Sequence, residues 1–333
     1  MSEVKGVLVI GEVSDGKLLG VTRELLGIGR KLADTLGEHL SAAILGAQLG
    51  DLGKELVAYG ADKAYLVQDP LLAQENADAY VAAAEKVVRQ VQPNVLLLGQ
   101  TVLGRDISPR LATRLGTALA PDCVELAIDP ATKLLHMTRP VYGGNARAIY
   151  VCEKARPQMA TVRPKAFSVL ERNDARAGEV VQLAAGLDPA QVRVKVLDRQ
   201  KKASEGLRLE DARVVVTGGR GMGGPENFKY LDELAKTLKG AVGASRAVCD
   251  AGWVSPSLQI GLTGKVVTPD LYITVGISGA SQHMAGCSGS KVIVAINKDP
   301  DANIFKEARY GVVGDWKQVL PALTEKVKEL VQG

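Results

Sequence analysis

Aromatic side chains are scarce in this chain, at 4% of its 333 residues. Single-stranded nucleic acid is bound largely by stacking bases on such side chains, so this class of ligand is disfavoured. The charge balance agrees, because 41 basic and 37 acidic residues leave a net charge of only +4 and no arginine-rich run occurs. The sequence therefore predicts no nucleic-acid partner.

Cysteine is also rare, and its spacing excludes several kinds of site. Cys123, Cys152, Cys249 and Cys287 form no CxxC pair, and the chain has only three histidines. Without a CxxC pair or a histidine cluster, the sequence disfavours a zinc or iron–sulfur site, and four scattered cysteines in a chain of this length do not suggest a disulfide framework. We therefore predict buried free thiols in a reducing compartment and no metal.

Long apolar runs are missing as well. No run reaches the roughly 18 residues that a membrane-spanning helix needs. The first residues, MSEVKGVLVIGEV, lead directly into a strand pattern without a charged leader or a cleavage site. We expect a soluble, cytoplasmic protein that does not span a membrane.

The apolar residues that are present predict an α/β fold. In the first half, short β-branched runs at 6–13, 40–46, 64–67 and 94–98 alternate with amphipathic helical patterns at 23–39, 51–59, 77–90 and 104–116. This alternation is typical of a doubly wound parallel sheet. Four strand patterns then follow one another without helices, in CVELAID, KLLHMTRPVY, ARAIYVC and QMATVRP. They predict antiparallel additions to that sheet.

The length favours two domains. The charged segment 198–207 has no apolar period, so we predict a linker there, between an N-terminal α/β domain at 1–197 and a Rossmann-like domain at 208–333. The second domain restarts with the strand pattern RVVVTGG. Its sheet is completed by strands near 241–244, 271–275 and 291–296.

The segment from Leu271 to Asn297 has the features of a ligand cradle. Two buried strand patterns end in polar residues and glycines, and ligands of parallel sheets gather at the carboxyl ends of strands. Glycines allow a ligand to approach the backbone, and a helix beginning at Gln282 would offer free N–H groups to an anion. His283 is the histidine of this segment.

A glycine cluster forms a second candidate site. Gly219, Gly221 and Gly224 satisfy the G-x-G-x-x-G pattern after a strand and before a helix, as a dinucleotide fingerprint requires. The next strand ends in Ser245 and Arg246, where an NAD site would place an acidic residue. This disfavours an NAD(P)-dependent dehydrogenase and favours a nucleotide held by backbone amides and cationic side chains.

Five runs of this domain together resemble the FAD-binding domain of the electron-transfer flavoprotein alpha subunit. In chain order they are GGRGMGGPENF, VGASRAVCDAG, TGKVVTPDLYITVGISGASQHMAG, VAINKDPDANIF and YGVVGDW. The segment RPVYGGNARA resembles, more loosely, part of the amino-terminal domain of the same family. The resemblance implies FAD as cofactor and a set of cofactor-binding residues: Arg220, Ser245, Arg246, Gln259, Gly261, Thr263, Ser278, Gly279, Gln282, His283, Asn297, Asp315 and Trp316.

The resemblance also implies roles for these residues. Arg220 would lie near the pyrophosphate and ribose, and the Arg246 guanidinium would pack against the flavin ring. The Thr263 hydroxyl would lie near N5 and His283 near O2, while Asn297 and Asp315 would hold the adenosine end. Leu262 stands where many relatives carry Gln, so one hydrogen bond to the cofactor is missing here.

Redox chemistry of this kind needs no catalytic acid or nucleophile. An electron added to the flavin places negative charge over N1 and O2, and a cation at that edge stabilises it. Arg246, Thr263 and His283 are therefore predicted to tune the potential.

The resemblance implies an electron carrier, the large subunit of a heterodimer whose beta subunit holds AMP or a second FAD. It would relay electrons from flavoprotein dehydrogenases, such as the acyl-CoA dehydrogenases of fatty acid β-oxidation, to a quinone oxidoreductase or a ferredoxin. One alternative is the alpha subunit of an NADH-dependent electron-bifurcating flavoprotein. Another is a regulatory protein that binds an adenine nucleotide without redox turnover, because fold alone does not determine function.

Overall fold

A computed structural model describes residues 4–144, 146–194, 196–197 and 207–332. The chain divides into two compact units. Unit 1 comprises Met1–Pro140 and Arg147–Gln200, and unit 2 comprises Val141–Ala146 and Lys201–Gly333. The predicted linker at 198–207 lies outside the described residues except for its last position.

The described residues form seventeen strands and nine α-helices. The strands are β1 (Val7–Gly11), β2 (Val13–Ser14), β3 (Lys17–Leu18), β4 (Leu40–Gly46), β5 (Lys63–Gln68), β6 (Val95–Gly99), β7 (Leu119–Cys123), β8 (Glu125–Ile128), β9 (Leu135–Val141), β10 (Ala146–Tyr150), β11 (Gln158–Val162), β12 (Glu179–Ala184), β13 (Val214–Gly218), β14 (Ala241–Ala244), β15 (Leu271–Val275), β16 (Val292–Asn297) and β17 (Tyr310–Val313). The helices are α1 (Gly20–Leu36), α2 (Leu52–Ala58), α3 (Ala77–Val91), α4 (Val102–Leu115), α5 (Phe228–Thr237), α6 (Arg246–Asp250), α7 (Ser281–Met284), α8 (Ile304–Glu307) and α9 (Trp316–Gln332).

Unit 1 is built on a seven-stranded sheet in the order β12-β5-β4-β1-β6-β11-β7. Every neighbouring pair in it is parallel. The central strands β1, β4 and β6 are buried along their whole length, which explains their continuous apolar sequences. Apolar clusters fill both faces of the sheet, so the predicted doubly wound α/β arrangement is confirmed.

The predicted antiparallel additions to this sheet are wrong in two respects. Strand β11 lies inside the main sheet, parallel to both β6 and β7. The antiparallel pair β8 and β9 belongs instead to a separate three-stranded sheet with β10. All five residues of β11 are buried, as expected of a central parallel strand. The place of β11 in the sheet therefore follows from burial and not from chain order.

Unit 2 contains a five-stranded parallel sheet in the order β14-β13-β15-β16-β17. The chain runs from β13 to β14 on one side and returns to β15 on the other. The strand order therefore reverses between β13 and β15, where open α/β sheets bind their ligands. Strands β13, β14 and β15 lie where the sequence predicts them.

The structure also bears on the predictions for the cysteines, for the helix near Gln282 and for membrane-spanning helices. All four cysteines are free and buried, as predicted. Helix α7 is only four residues long, so the predicted helix near Gln282 is too short to develop a dipole for an anion. None of the described helices combines the length and apolar character needed to cross a membrane.

Candidate functional site

A cleft of 890 Å³ opens at the switch point of unit 2, beyond the carboxyl ends of β13 and β15. Most of the predicted residues line it. They are Arg220, Ser245, Arg246, Gln259, Gly261, Thr263, Ser278, Gln282, His283 and Asn297. A smaller cavity of 330 Å³ is lined by Asp315 and Trp316 and shares Gly221, Gly276 and Asn297 with the cleft. The two cavities therefore adjoin.

The floor of the cleft is formed by two glycine loops in direct backbone contact. The N–H of Gly221 donates to the Gly276 carbonyl at 3.0 Å. A Cβ on Gly276 would lie 2.7 Å from the Gly221 Cα, and one on Gly219 would lie 2.3 Å from the Gly276 carbonyl oxygen. These glycines are needed for the loops to pack on each other, a role that the dinucleotide pattern does not reveal.

Trp316 fixes the glycine loop from the side. Its indole Nε1–H donates to the Gly221 carbonyl at 3.1 Å, and its ring lies 5.5 Å from that of Tyr230. The Asp315 carboxylate accepts from the N–H of Lys317 at 3.0 Å and so occupies the start of α9. Both residues therefore shape the smaller cavity through contacts within the chain.

The loop from Gln259 to Lys265 brings the Thr263 hydroxyl to the rim. The Gln259 side-chain amide donates to Thr263 Oγ1 at 3.0 Å, so the hydroxyl proton remains available to a ligand. The N–H of Leu262 donates to the Gln282 carbonyl at 2.7 Å, which ties this loop to α7. The Leu262 side chain itself is exposed at the cleft.

Arg246 begins helix α6, which is separated from β14 by Ser245. Its Nε lies 3.1 Å from Oδ2 of Asp250, and the two side chains are 67% and 62% exposed. Sequence reasoning missed Asp250, although its position four residues after Arg246 is the spacing of an ion pair on one helix face. The cation at the cleft therefore has a carboxylate beside it.

His283 is buried in the wall of the cleft. Its Nε2 lies 2.9 Å from the hydroxyl of Tyr272, whereas its Nδ1 has no hydrogen-bond partner among the described residues. Burial lowers the pKa of His283 to about 4, with the Ile260 carbonyl acting in the opposite direction. The imidazole is therefore neutral at pH 7, and any effect on a cofactor comes from a hydrogen bond.

Two predicted residues hold the loops together. The Asn297 side chain donates to the Ile277 carbonyl at 2.9 Å and accepts from the N–H of Asp299 at 3.0 Å. Gly279 does not line either cavity. It has a φ of +80°, and a Cβ there would lie 2.2 Å from the backbone nitrogen of Ile304.

Sequence reasoning also missed Tyr272, which looks like an ordinary core residue of a buried strand. Its side chain is fully buried. No pattern in the sequence places it against His283, because the two are joined only by the fold of the loop after β15.

The comparisons with known proteins agree with this geometry. A family model described as the electron transfer flavoprotein domain matches residues 7–188, and one described as the electron transfer flavoprotein FAD-binding domain matches residues 208–288. The electron transfer flavoprotein subunit alpha of Thermoanaerobacterium thermosaccharolyticum is 46% identical over 330 residues, covering 99% of this chain and 100% of that protein. The chain belongs to the electron transfer flavoprotein alpha subunit family.

Other members of the electron transfer flavoprotein family are nearly as similar. The subunit alpha of Megasphaera elsdenii is 46% identical and covers 99% of this chain and 98% of its own. Protein FixB of Azotobacter vinelandii is 42% identical, covering 98% of this chain and 92% of its own. The chain is therefore the large subunit of an electron transfer flavoprotein, with FAD as its cofactor, and the family implies a beta subunit as its partner.

The residues of the cleft fit FAD. Two exposed cations, Arg220 and Arg246, stand at its rim, as the charge of a pyrophosphate and of a reduced flavin requires. Among the described residues, neither the Thr263 hydroxyl proton nor the buried Nδ1 of His283 has a hydrogen-bond partner. A polar ligand that completes these bonds satisfies groups that are otherwise costly to bury.

Proposed function

We propose that this chain is an FAD-containing electron carrier that receives electrons from flavoprotein dehydrogenases, such as acyl-CoA dehydrogenases, and passes them to a quinone oxidoreductase or a ferredoxin. Its partner is the beta subunit, which holds AMP or a second FAD. The observation that carries the proposal is the convergence of Arg246, Thr263 and His283 on the one cleft at the switch point of unit 2.

These three groups stabilise negative charge in the cleft, and an electron carrier has to control the charge on its cofactor. When bound, FAD supplies the ability to accept and release single electrons. Arg246 provides a full positive charge, Thr263 a hydroxyl proton oriented by Gln259, and His283 a neutral imidazole. Together they favour negative charge at one side of the cleft.

The remaining predicted residues hold the cofactor rather than tune it. Arg220 and Ser245 are assigned to the phosphate side of the cleft. Ser278, Gln282 and Gly261 are assigned to the flavin side, and Asn297, Asp315 and Trp316 to the adenosine side. Gly279 supports the site through loop packing alone.

The test is the absorbance spectrum and flavin content of the chain co-expressed with its beta subunit. We expect a yellow heterodimer with one FAD that is bleached by a reduced acyl-CoA dehydrogenase. Two FADs per heterodimer with reduction by NADH would indicate a bifurcating protein instead. A colourless protein that binds only AMP would refute the carrier.

A further inference from the structure

A buried side chain behind the cleft wall contacts His283. Tyr272, in the centre of unit 2, is fully buried, so its hydroxyl needs a partner inside the protein. The hydroxyl lies 2.9 Å from Nε2 of His283, within hydrogen-bond distance. Because the two residues belong to β15 and α7, this bond connects the sheet to the wall of the cleft.

The direction of this bond follows from the other groups around the hydroxyl. The Cys287 thiol interacts with Tyr272, but its own hydrogen points to the His283 carbonyl at 3.6 Å, and a thiol sulfur is a weak acceptor. Thr217 Oγ1, also beside Tyr272, makes no hydrogen bond of good geometry among the described residues. The imidazole nitrogen is therefore the best acceptor within reach of the tyrosine proton.

A neutral imidazole carries a single proton on one of its two nitrogens. If Nε2 accepts from Tyr272, the proton must lie on Nδ1. Burial keeps the ring neutral at pH 7, because it lowers the pKa of His283 to about 4. Nδ1 then becomes a hydrogen-bond donor. It is buried and has no partner of good geometry among the described residues, and the Ile260 carbonyl, which acts to raise the pKa of the ring, is an acceptor near it.

We propose that Tyr272 is a positioning residue that donates to Nε2 of His283, fixes the imidazole as its Nδ1–H tautomer, and so makes the ring a neutral hydrogen-bond donor in the wall of the cofactor cleft. The proposal rests on the FAD site proposed above. It assigns to the buried tyrosine a function beyond packing, since the same ring without its hydroxyl would fill the same volume.

The tautomer can be measured directly without a cofactor. The full-length chain, labelled with ¹⁵N-histidine and paired with its unlabelled beta subunit, contains three labelled imidazoles, His39, His136 and His283. A long-range ¹H–¹⁵N correlation spectrum of the FAD-free heterodimer distinguishes the two neutral tautomers, and His283→Gln assigns the signal. We expect a single Nδ1–H form of His283 in the unmodified chain. An Nε2–H form would overturn the proposal.

The variant Tyr272→Phe removes only the hydroxyl. We expect its His283 signal to shift toward the Nε2–H form, and its dissociation constant for FAD to rise about three- to tenfold, the equivalent of one hydrogen bond. The first one-electron potential of the reconstituted heterodimer should also fall. Tyr230→Phe is the matched control, because Tyr230 packs on Trp316 and should leave the His283 tautomer unchanged.

These measurements separate the proposal from the proposed function. An unchanged tautomer and potential in folded Tyr272→Phe would refute the positioning role even if FAD binds normally. A heterodimer that fails to bind FAD but retains the Nδ1–H signal would refute the cofactor site and leave the tautomer assignment intact. If Tyr272→Phe does not fold, the spectrum of the unmodified chain still decides the tautomer.

Discussion

Replacing Arg246 by Gln is expected to lower the first one-electron potential of the bound FAD. The substitution removes a positive charge from the cleft while keeping a polar side chain of similar reach. Negative charge at the flavin then loses the cation that favours it. The structure also provides a control of opposite sign, because Asp250 lies 3.1 Å from the same guanidinium and can be neutralised separately as Asp250→Asn.

The size of the shift follows from the exposure of the pair. A unit charge about 4 Å away is worth roughly 4 kcal/mol at an effective dielectric of about 20 and roughly 1 kcal/mol in bulk water. Because the Arg246 and Asp250 side chains are 67% and 62% exposed, the lower figure applies. For a one-electron couple, about 1.4 kcal/mol corresponds to about 59 mV, so we expect Arg246→Gln to lower the potential by roughly 40 mV. Asp250→Asn should raise it by a smaller amount.

The assay is a spectroelectrochemical titration of the reconstituted heterodimer at low and high ionic strength. The shift should shrink in about 1 M salt, where the Debye length is about 3 Å. Arg246→Lys serves as a second control that retains the charge. An unchanged first potential in Arg246→Gln, or shifts of the same sign in both neutralised variants, would refute this electrostatic assignment.

Three further predictions concern the frame of the site and the stability of unit 1. Gly276→Ala places a Cβ 2.7 Å from the Gly221 Cα, at a backbone φ of +64°. We therefore expect the unfolding free energy to fall by about 2–4 kcal/mol and the protein to bind little FAD. A variant with full FAD content would contradict the loop-packing role. Trp316→Phe loses the 3.1 Å bond to the Gly221 carbonyl and should weaken FAD binding by about fivefold in a fluorescence titration, whereas unchanged affinity would refute its anchoring role. Burial raises the pKa of Glu12 to about 7 from 4.5, so the stability that its proton confers is present below pH 4.5 and lost as the pH rises through 7. The unfolding free energy of Glu12→Gln should equal that of the unmodified chain at pH 4 and exceed it by about 3 kcal/mol at pH 8; a pH-independent difference would exclude this linkage.

Much of unit 2 is predictable because its strands are short, β-branched and buried on both faces. Strand β15 lies at Leu271–Val275, where the apolar pattern places it. The same reasoning fails for β11, because neighbours in a sheet are determined by long-range packing and not by chain order. A sequence pattern identifies the strand but not its partners.

The sequence predicts the site about as well as it predicts the fold. Loops that follow successive parallel strands meet at one sheet edge, so the convergence of Arg246, Thr263 and His283 follows from the topology. The orienting partners are different, because they are set by side-chain directions within the folded loops. Only Gln259, among the three residues that contact these groups, was a candidate from sequence; Asp250 and Tyr272 were not.

These partners divide the tuning groups into two physical classes. Arg246 acts through a solvent-exposed charge, which salt screens and Asp250 opposes. His283 acts as a neutral donor whose ring is held by Tyr272 in a buried environment, where salt has little effect. Ionic strength should therefore separate the two contributions, because the salt dependence of the first potential reports on Arg246 and the part that persists in high salt reports on the buried hydrogen bonds. In such a site, one part of the flavin potential does not depend on the ionic strength.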